Sequence, residues 1–137
     1  MKKYFLVSLL VLCLVLTACG KKTPTEEMPA EDQEKYIQMS KDAITTLNEE
    51  GFAALEDKYS EDMKKAMTAD ALEKSEEVLA AKGAFKDFGQ TAALYYTDEK
   101  TSNKYIISQV ETLYEDGSLV FTISYDLDDN IIGLFMK

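Results

Sequence analysis

The sequence predicts an α+β domain in which about three helices pack on a curved, four-stranded antiparallel meander. Apolar residues recur at helical spacing from Asp32 to Lys82. After Gly83 the chain is rich in aromatic residues and alternates apolar with polar positions, which is typical of strands. Because one face of a twisted sheet must be covered, we expect the helices to cover it.

The first helix is predicted over Asp32–Glu50, and Gly51 is typical of a helix end. Its apolar positions are Tyr36, Ile37, Ala43, Ile44 and Leu47. A short second helix is expected to carry Phe52, Leu55 and Tyr59.

Two hydroxyl residues are predicted to begin the remaining helical turns. Ser60 can cap a turn that contains Met63, and Thr68 can cap a helix from Ala69 to Lys82. Gly83 then allows the left-handed backbone that ends many helices.

The acidic residues of the helical half and five methionines along the chain each allow two interpretations. The acids could form a cation site or a partner surface, but a solvated helix face is the interpretation we adopt. The methionines could form an adaptable binding surface, but core filling fits their spacing better. The acids are Glu49, Glu50, Glu56, Asp57, Glu61 and Asp62, and the methionines are Met28, Met39, Met63, Met67 and Met136.

Four strands are predicted, over Phe85–Asp98, Lys104–Gly117, Ser118–Leu127 and Ile131–Lys137. Asp116-Gly117 and Asp128-Asp129-Asn130 are the hairpin turns. On the second strand, Ile106, Val110 and Tyr114 share one face; on the third, Leu119, Phe121, Ile123, Tyr125 and Leu127 do.

The last strand is apolar on both faces, which predicts an inner strand or one that is covered on both sides. Gly133 within it indicates a bulge or a close backbone approach.

Composition excludes several kinds of chemistry. All 15 basic residues are lysine, and the chain has no Arg, His or Trp. Catalysis through Ser-His-Asp or Cys-His arrangements and imidazole metal ligands are therefore excluded. A formal net charge of -10 argues against binding to a nucleic-acid backbone.

The amino terminus has the pattern of a secretory signal. Lys2 and Lys3 precede an uncharged run from Tyr4 to Leu16, which is too short to span a bilayer as a helix. The run ends in Leu16-Thr17-Ala18-Cys19-Gly20, which resembles the lipobox of bacterial lipoproteins.

In that family the cysteine carries diacylglycerol and becomes the first residue after cleavage. The resemblance implies lipid attachment at Cys19, with the membrane as a partner through that lipid and the extracytoplasmic membrane face as the location. An ordinary signal peptide is the alternative.

The chain is accordingly divided into three parts. Residues 1–18 are the signal, residues 19–31 are the lipidated cysteine with a flexible tether, and residues 32–137 are one domain. Removal of the signal takes away Lys2 and Lys3 and no acid, which brings the formal charge to -12.

Two stretches carry a further resemblance, "KGAFKDFG" at 82–89 and "VFTISYDLDDNIIGLFMK" at 120–137. The order of helices before a meander resembles the cone-shaped fold of nuclear transport factor two and cystatin-like proteins. A Gly-x-Phe start of the sheet and an Ile-x-Gly-Leu close resemble the DUF3887 family of envelope lipoproteins. That likeness implies the fold and no particular activity.

Two site hypotheses arise from the carboxylates. Asp126-x-Asp128-x-Asn130 resembles the start of a calcium loop, but Ile131 and Lys137 stand where Gly and Glu would be needed. A hairpin turn explains these residues better. An Asp–Tyr acid-base pair is the second hypothesis, with Asp87 or Asp126 as the base and Tyr95, Tyr96, Tyr105, Tyr114 or Tyr125 as the donor.

We predict a non-enzymatic binding module for a small apolar ligand or an envelope protein, without a cofactor, metal or catalytic residue. A small Asp/Tyr enzyme is the alternative. A ligand would lie between helices and sheet, where a filled core is the competing and preferred interpretation. The candidate lining is Phe52, Leu55, Phe85, Phe88, Leu94, Phe121, Ile123 and Tyr125.

Overall fold

The structure is a computed structural model, described here over residues 25–137. Helices precede an antiparallel meander, which confirms the predicted α+β class. The helical elements are α1 (Ala30–Glu50), a 3₁₀ helix (Phe52–Lys58), α2 (Glu61–Ala66) and α3 (Ala69–Ala80). The strands are β1 (Thr25–Glu26), β2 (Phe85–Thr97), β3 (Lys104–Tyr114), β4 (Gly117–Tyr125) and β5 (Ile131–Met136).

The sheet has the strand order β1-β2-β3-β4-β5, and every neighbouring pair is antiparallel. β2 to β5 form the predicted meander, and their ends lie within three residues of the predicted ones. The two-residue hairpin loop between β3 and β4 is Glu115-Asp116, because Tyr114 pairs with Gly117. The turn over 126–130 is closed by a hydrogen bond from the Asp126 backbone to Asn130 O, at 3.0 Å.

Both predicted hydroxyl caps are present. Ser60 Oγ accepts a hydrogen bond from Met63 N at 3.2 Å, and Thr68 Oγ1 accepts one from Ala71 N at 3.3 Å. Each cap satisfies a backbone donor that has no partner within its helix.

The core fills the space between the helices and one face of the sheet. Alternate residues of β3 and β4 point into it, as predicted, and their side chains meet the apolar stripe of α1. Met28 and Met63 are buried, and Met39, Met67 and Met136 pack partly buried against the same cluster. Core filling is therefore the role of these methionines.

Two register shifts in β2 decide which of its side chains face the core. One lies between Phe85 and Asp87 and the other between Phe88 and Thr91. The first places Phe85 and Phe88 on the same face although they are three residues apart. The second reverses the alternation, so that Leu94 pairs with Ile107 on the outer face. The prediction that Leu94 lines the interior is wrong for this reason.

The prediction of a doubly covered last strand is also wrong. β5 lies at the edge of the sheet, and the helices cover only one face, so Phe135 is 68% exposed on the other. A register shift opposite Ser124 and Tyr125 leaves Ile132 unpaired next to Gly133, which agrees with the expected bulge. Leu127 was predicted to face the core but is 62% exposed, because β4 ends at Tyr125.

Folded structure begins earlier than the predicted domain boundary at Asp32. β1 pairs with β2 opposite Tyr96, Met28 is buried and α1 begins at Ala30. The predicted tether therefore cannot extend to Glu31. The signal segment, Cys19 and Lys21–Lys22 lie outside the described residues. Among residues 25–137, no helix combines the length and apolar character that crossing a membrane requires.

Candidate functional site

The predicted interior lining divides into three groups. Phe52, Leu55, Phe121, Ile123 and Tyr125 are at most 1% exposed and belong to one core cluster. Phe88 is half-buried against that cluster, and Phe85 is 37% exposed at its edge. Leu94 faces the other side of the sheet. The structure brings the first five together in the core, and Tyr125 also lines a cavity of about 220 Å³ beside Asp129 and Ile131.

Buried hydroxyls cross the middle of this core. Ser40 Oγ donates to Ser108 Oγ at 2.8 Å and shares a 2.9 Å hydrogen bond with Tyr125 Oη. Ser40 and Ser108 are fully buried, so each bond satisfies a group that water cannot reach. Burial raises the pKa of Tyr125 to about 12, although the bond with Ser40 opposes the increase. The network fixes α1 against β3 and β4.

An Asp–Tyr pair does exist, but between residues that the sequence hypothesis did not name. Tyr36 Oη donates to Asp129 Oδ1 at 2.7 Å, and Lys35 Nζ lies 2.7 Å from Asp129 Oδ2. The hydrogen bond from Lys35, followed by that from Tyr36, lowers the pKa of the Asp129 carboxyl. Burial and the hydrogen bond to Asp129 raise the pKa of Tyr36. Both shifts make the pair a poor acid-base couple at neutral pH.

The carboxylates that were proposed as bases have other roles. Asp126 Oδ1 accepts hydrogen bonds from the backbone of Asp128 and Asn130, both at 2.9 Å, and Oδ2 accepts one from Asn130 Nδ2. A hairpin turn thus accounts for the residues that resembled a calcium loop. Asp87 is exposed, and its Oδ1 accepts a hydrogen bond from the backbone N–H of Phe88. A second Tyr–Asp pair joins Tyr95 Oη to Asp32 Oδ2 at 2.8 Å.

An open groove of about 490 Å³ lies at the other end of the domain, where α1 and α3 end and β2 begins. This volume lies within the usual range for small-molecule sites. The apolar part of its lining is Leu47, Leu79, Ala80, Ala84 and Phe85, and the polar part is Asn48, Glu49, Glu50 and Glu76, with Gly51 and Gly83 between them. We call this feature the helix-end groove.

Gly51 gives the helix-end groove its shape. Its φ of +90° is strained for other residues, and a Cβ atom there would lie 2.8 Å from Glu76 Oε1. The same oxygen accepts a 2.9 Å hydrogen bond from Phe52 N. The sharp turn after α1 thus brings Glu76 of α3 beside the end of α1.

The charged side chains that line the helix-end groove are all negative. Glu49, Glu50 and Glu76 line it, and none of the lining residues is basic. The carboxyl ends of α1 and α3 also meet here, and neither helix has a basic residue in its last turn. Because each helix carries partial negative charge at that end, the groove combines two such ends with three acidic side chains.

A buried hydroxyl lies beneath the same groove. Tyr114 is 3% exposed, and its Oη has no hydrogen-bond partner within residues 25–137. The Tyr114 ring packs edge-on against Phe85, with centroids 6.1 Å apart, and its hydroxyl neighbours Asn48 without hydrogen-bonding geometry. Burial raises the pKa of Tyr114, and the nearby Asn48 amide opposes the increase. An unpaired buried hydroxyl costs free energy unless something else satisfies it.

Comparison with known proteins identifies the family. A family model described as a protein of unknown function, DUF3887, matches residues 40–134. The chain belongs to the DUF3887 family. The matched residues include the whole lining of the helix-end groove, so the groove lies within the DUF3887 domain. No curated protein shows significant similarity to the chain.

A solved structure has the same fold as this DUF3887 domain. It is described as the NMR structure of a protein from Ruminococcus gnavus ATCC 29149, and it superimposes with a TM-score of 0.67. The two chains are 19% identical, and the match covers 82% of this chain and 97% of the other. At that identity the likeness shows the fold alone.

Of the groove lining, the sequence predicted only Phe85 as a ligand-lining residue. Glu49 and Glu50 were predicted only as members of a solvated acidic face, and Asn48 and Glu76 were not singled out. Tyr114 was correctly placed on the core face of its strand by the two-residue period. No local signal indicated that its hydroxyl would lack a partner.

Proposed function

We propose that this DUF3887 chain is an extracytoplasmic lipoprotein, anchored through Cys19, whose domain binds a ligand without chemical change in the helix-end groove. The groove itself is the observation that carries the binding part. It places the exposed apolar residues Ala80, Ala84 and Phe85 beside acidic groups at the surface of the domain. Binding sites commonly combine an apolar lining with a few placed polar groups.

The position of β1 supports an anchored arrangement. Thr25 pairs with Tyr96 near the end of β2, and only five residues lie between it and Cys19, a span of at most about 20 Å of extended chain. Phe85, in the helix-end groove, lies at the opposite end of the same strand, roughly 35 Å away along it. An anchor at Cys19 would thus hold one end of the domain near the lipid and leave the groove at the far end.

The electrostatic environment of the Asp–Tyr pair disfavours the enzyme alternative. A general base works best when its pKa lies near the working pH. Lys35 and Tyr36 instead hold the Asp129 carboxyl in its ionised, hydrogen-bonded state and lower its pKa. The cone likeness to nuclear transport factor two remains part of the proposal and adds no catalytic group.

Mass spectrometry of the amino terminus tests the anchor. The full chain, expressed in a Gram-positive host, is expected to begin at Cys19 with diacylglycerol attached and to fractionate with membranes. A Cys19→Ala variant is expected to lose both properties. Cleavage at another residue, or an unmodified Cys19 in the wild type, contradicts the anchored part of the proposal.

NMR titration tests the binding part with three probes of equal chain length: decanol below its solubility limit, and decanoate and decylammonium below their critical micelle concentrations. The sheet, the helices and the core cluster all belong to residues 25–137, so a soluble chain that starts at Gly20 keeps them. At least one probe is expected to shift the backbone amides of Asn48, Gly83 and Phe85. If all three leave these amides unchanged, the groove is not a binding site.

A further inference from the structure

We infer that the helix-end groove selects an organic cation that carries an apolar group, such as an alkylammonium or a lysine side chain next to an apolar residue. This inference rests on the proposed function and specifies its ligand class. The positive group would lie beside Glu49, Glu50 or Glu76, and the apolar group would lie on Ala80 and Phe85.

The first reason is charge. Two carboxylates end α1 at a place where the helix dipole already favours a cation, and helices usually place Lys or Arg there. Lys82, the first basic residue after α3, lies near Gly117 of the β3–β4 hairpin and does not line the groove. The backbone amide of Phe52 donates to Glu76, but no lysine among the described residues pairs with a groove carboxylate, so a bound cation would neutralise charge there.

The second reason is the unpaired hydroxyl of Tyr114. An oxygen with free lone pairs beneath an acidic groove can accept a hydrogen bond from an ammonium group. Asn48, which neighbours this hydroxyl, and Phe85, which packs on the Tyr114 ring, both line the groove. Occupation by an N–H donor would satisfy an atom that has no partner in the described part of the chain.

The third reason is the apolar floor, which distinguishes an amphipathic ligand from a bare metal ion. Ala80, Ala84 and Phe85 are exposed and offer carbon surface that a hydrated ion would not contact, and Leu47 and Leu79 lie buried beneath them. Within residues 25–137, acidic side chains do not gather in groups of three that could ligate a metal. The chemistry therefore fits a cation with hydrocarbon attached.

Calorimetric titration of the chain starting at Gly20 tests the inference. Decylammonium is expected to bind more tightly than decanol, and decanoate is expected to bind most weakly. Raising the ionic strength to about 0.5 M should weaken decylammonium binding, because salt screens the charge attraction. Equal affinities for the three probes, or tighter decanoate binding, would overturn the inference while leaving a binding groove intact.

Two matched double variants test whether the carboxylates of the groove cause the preference for decylammonium. Glu49→Gln/Glu50→Gln is expected to weaken decylammonium binding about tenfold, because two attractive charges are lost. Glu31→Gln/Glu34→Gln makes the same charge change at the other end of α1 and should leave the affinity within about twofold. If both pairs weaken binding equally, the attraction comes from the whole acidic surface and the inference fails.

The Tyr114→Phe variant tests whether the Tyr114 hydroxyl accepts a hydrogen bond from the ammonium group. The variant is expected to weaken decylammonium binding about fivefold, the usual effect of one lost hydrogen bond, and to leave decanoate binding unchanged. Its thermal stability should equal or exceed that of the wild type, because the removed hydroxyl has no partner. An unchanged decylammonium affinity in a folded Tyr114→Phe variant would remove Tyr114 from the site.

Discussion

The Tyr36 hydroxyl donates a 2.7 Å hydrogen bond to the Asp129 carboxylate and so connects α1 to the β4–β5 turn across 93 residues of sequence. Asp129 has a φ of 67°, an uncommon value for a residue other than glycine, which the tight turn requires. Lys35 contacts the other carboxylate oxygen. Together these contacts hold the amino-terminal end of α1 on the edge of the sheet.

Removal of the Tyr36 hydroxyl is expected to destabilise the domain. Tyr36→Phe should lower the free energy of unfolding by about 1–2 kcal/mol, because it removes a hydrogen bond to a charged, partly exposed acceptor. Tyr105→Phe is the matched control, since the Tyr105 hydroxyl has no partner in the described residues and lies on the outer face. Urea unfolding measures the free energy of unfolding of both variants. An equal decrease in the two would contradict the role of the hydrogen bond to Asp129.

Alkaline pH is expected to unfold the domain through its buried tyrosines. Burial raises the pKa of Tyr59 and of Tyr125 to about 12, above the value of about 10 for an unfolded chain. The contribution of these two protonated tyrosines to the free energy of unfolding is therefore complete below about pH 10. It is lost as the pH rises toward 12. The melting temperature should fall across this window, and more gently in Tyr125→Phe. A Tyr125→Phe slope equal to that of the wild type would refute this assignment.

Truncation of Ile123 distinguishes a filled core from an open cavity. Ile123 is fully buried in the core cluster, so Ile123→Ala should cost about 2–5 kcal/mol of unfolding free energy. Ile132→Ala removes the same atoms from an edge strand where the side chain is 38% exposed, and should cost less than about 1 kcal/mol. Similar small costs for both would mean that the interior is not closely packed.

The acidic end of α1 is expected to lower stability. Glu49→Gln/Glu50→Gln should raise the unfolding free energy by about 0.3–1 kcal/mol, because it removes negative charge from a helix carboxyl end. Glu31→Gln/Glu34→Gln removes it from the amino end and should have the opposite sign. Thermal unfolding at low ionic strength measures both. A loss of stability in the first variant would show that these carboxylates already have partners.

The periodicity of the sequence predicted the secondary structure well, because the signals involved are local. Thr68 and Ser60 needed only their own helices to act as caps, and Phe121 and Ile123 followed the strict two-residue period of β4. Leu94 was assigned to the interior without such a period, and an irregularity after Phe88 shifts the register and places its side chain on the other face.

The site was predictable only in part, because it depends on contacts between distant segments. Glu76 lies beside Gly51 only once α3 has packed against the 3₁₀ helix, and Tyr36 meets Asp129 only through the complete sheet. Neither pairing leaves a spacing in the sequence. The free hydroxyl of Tyr114 depends on the exact position of Asn48, which no residue pattern encodes.

A crystal structure of the chain from Gly20 with decylammonium bound would locate the ligand. We expect density in the helix-end groove, with the ammonium nitrogen within about 3–4 Å of a rim carboxylate and the alkyl chain against Ala80 and Phe85. Density between the helices and sheet beside Phe121 and Ile123, or only on the outer face of the sheet near Val120, would contradict this placement.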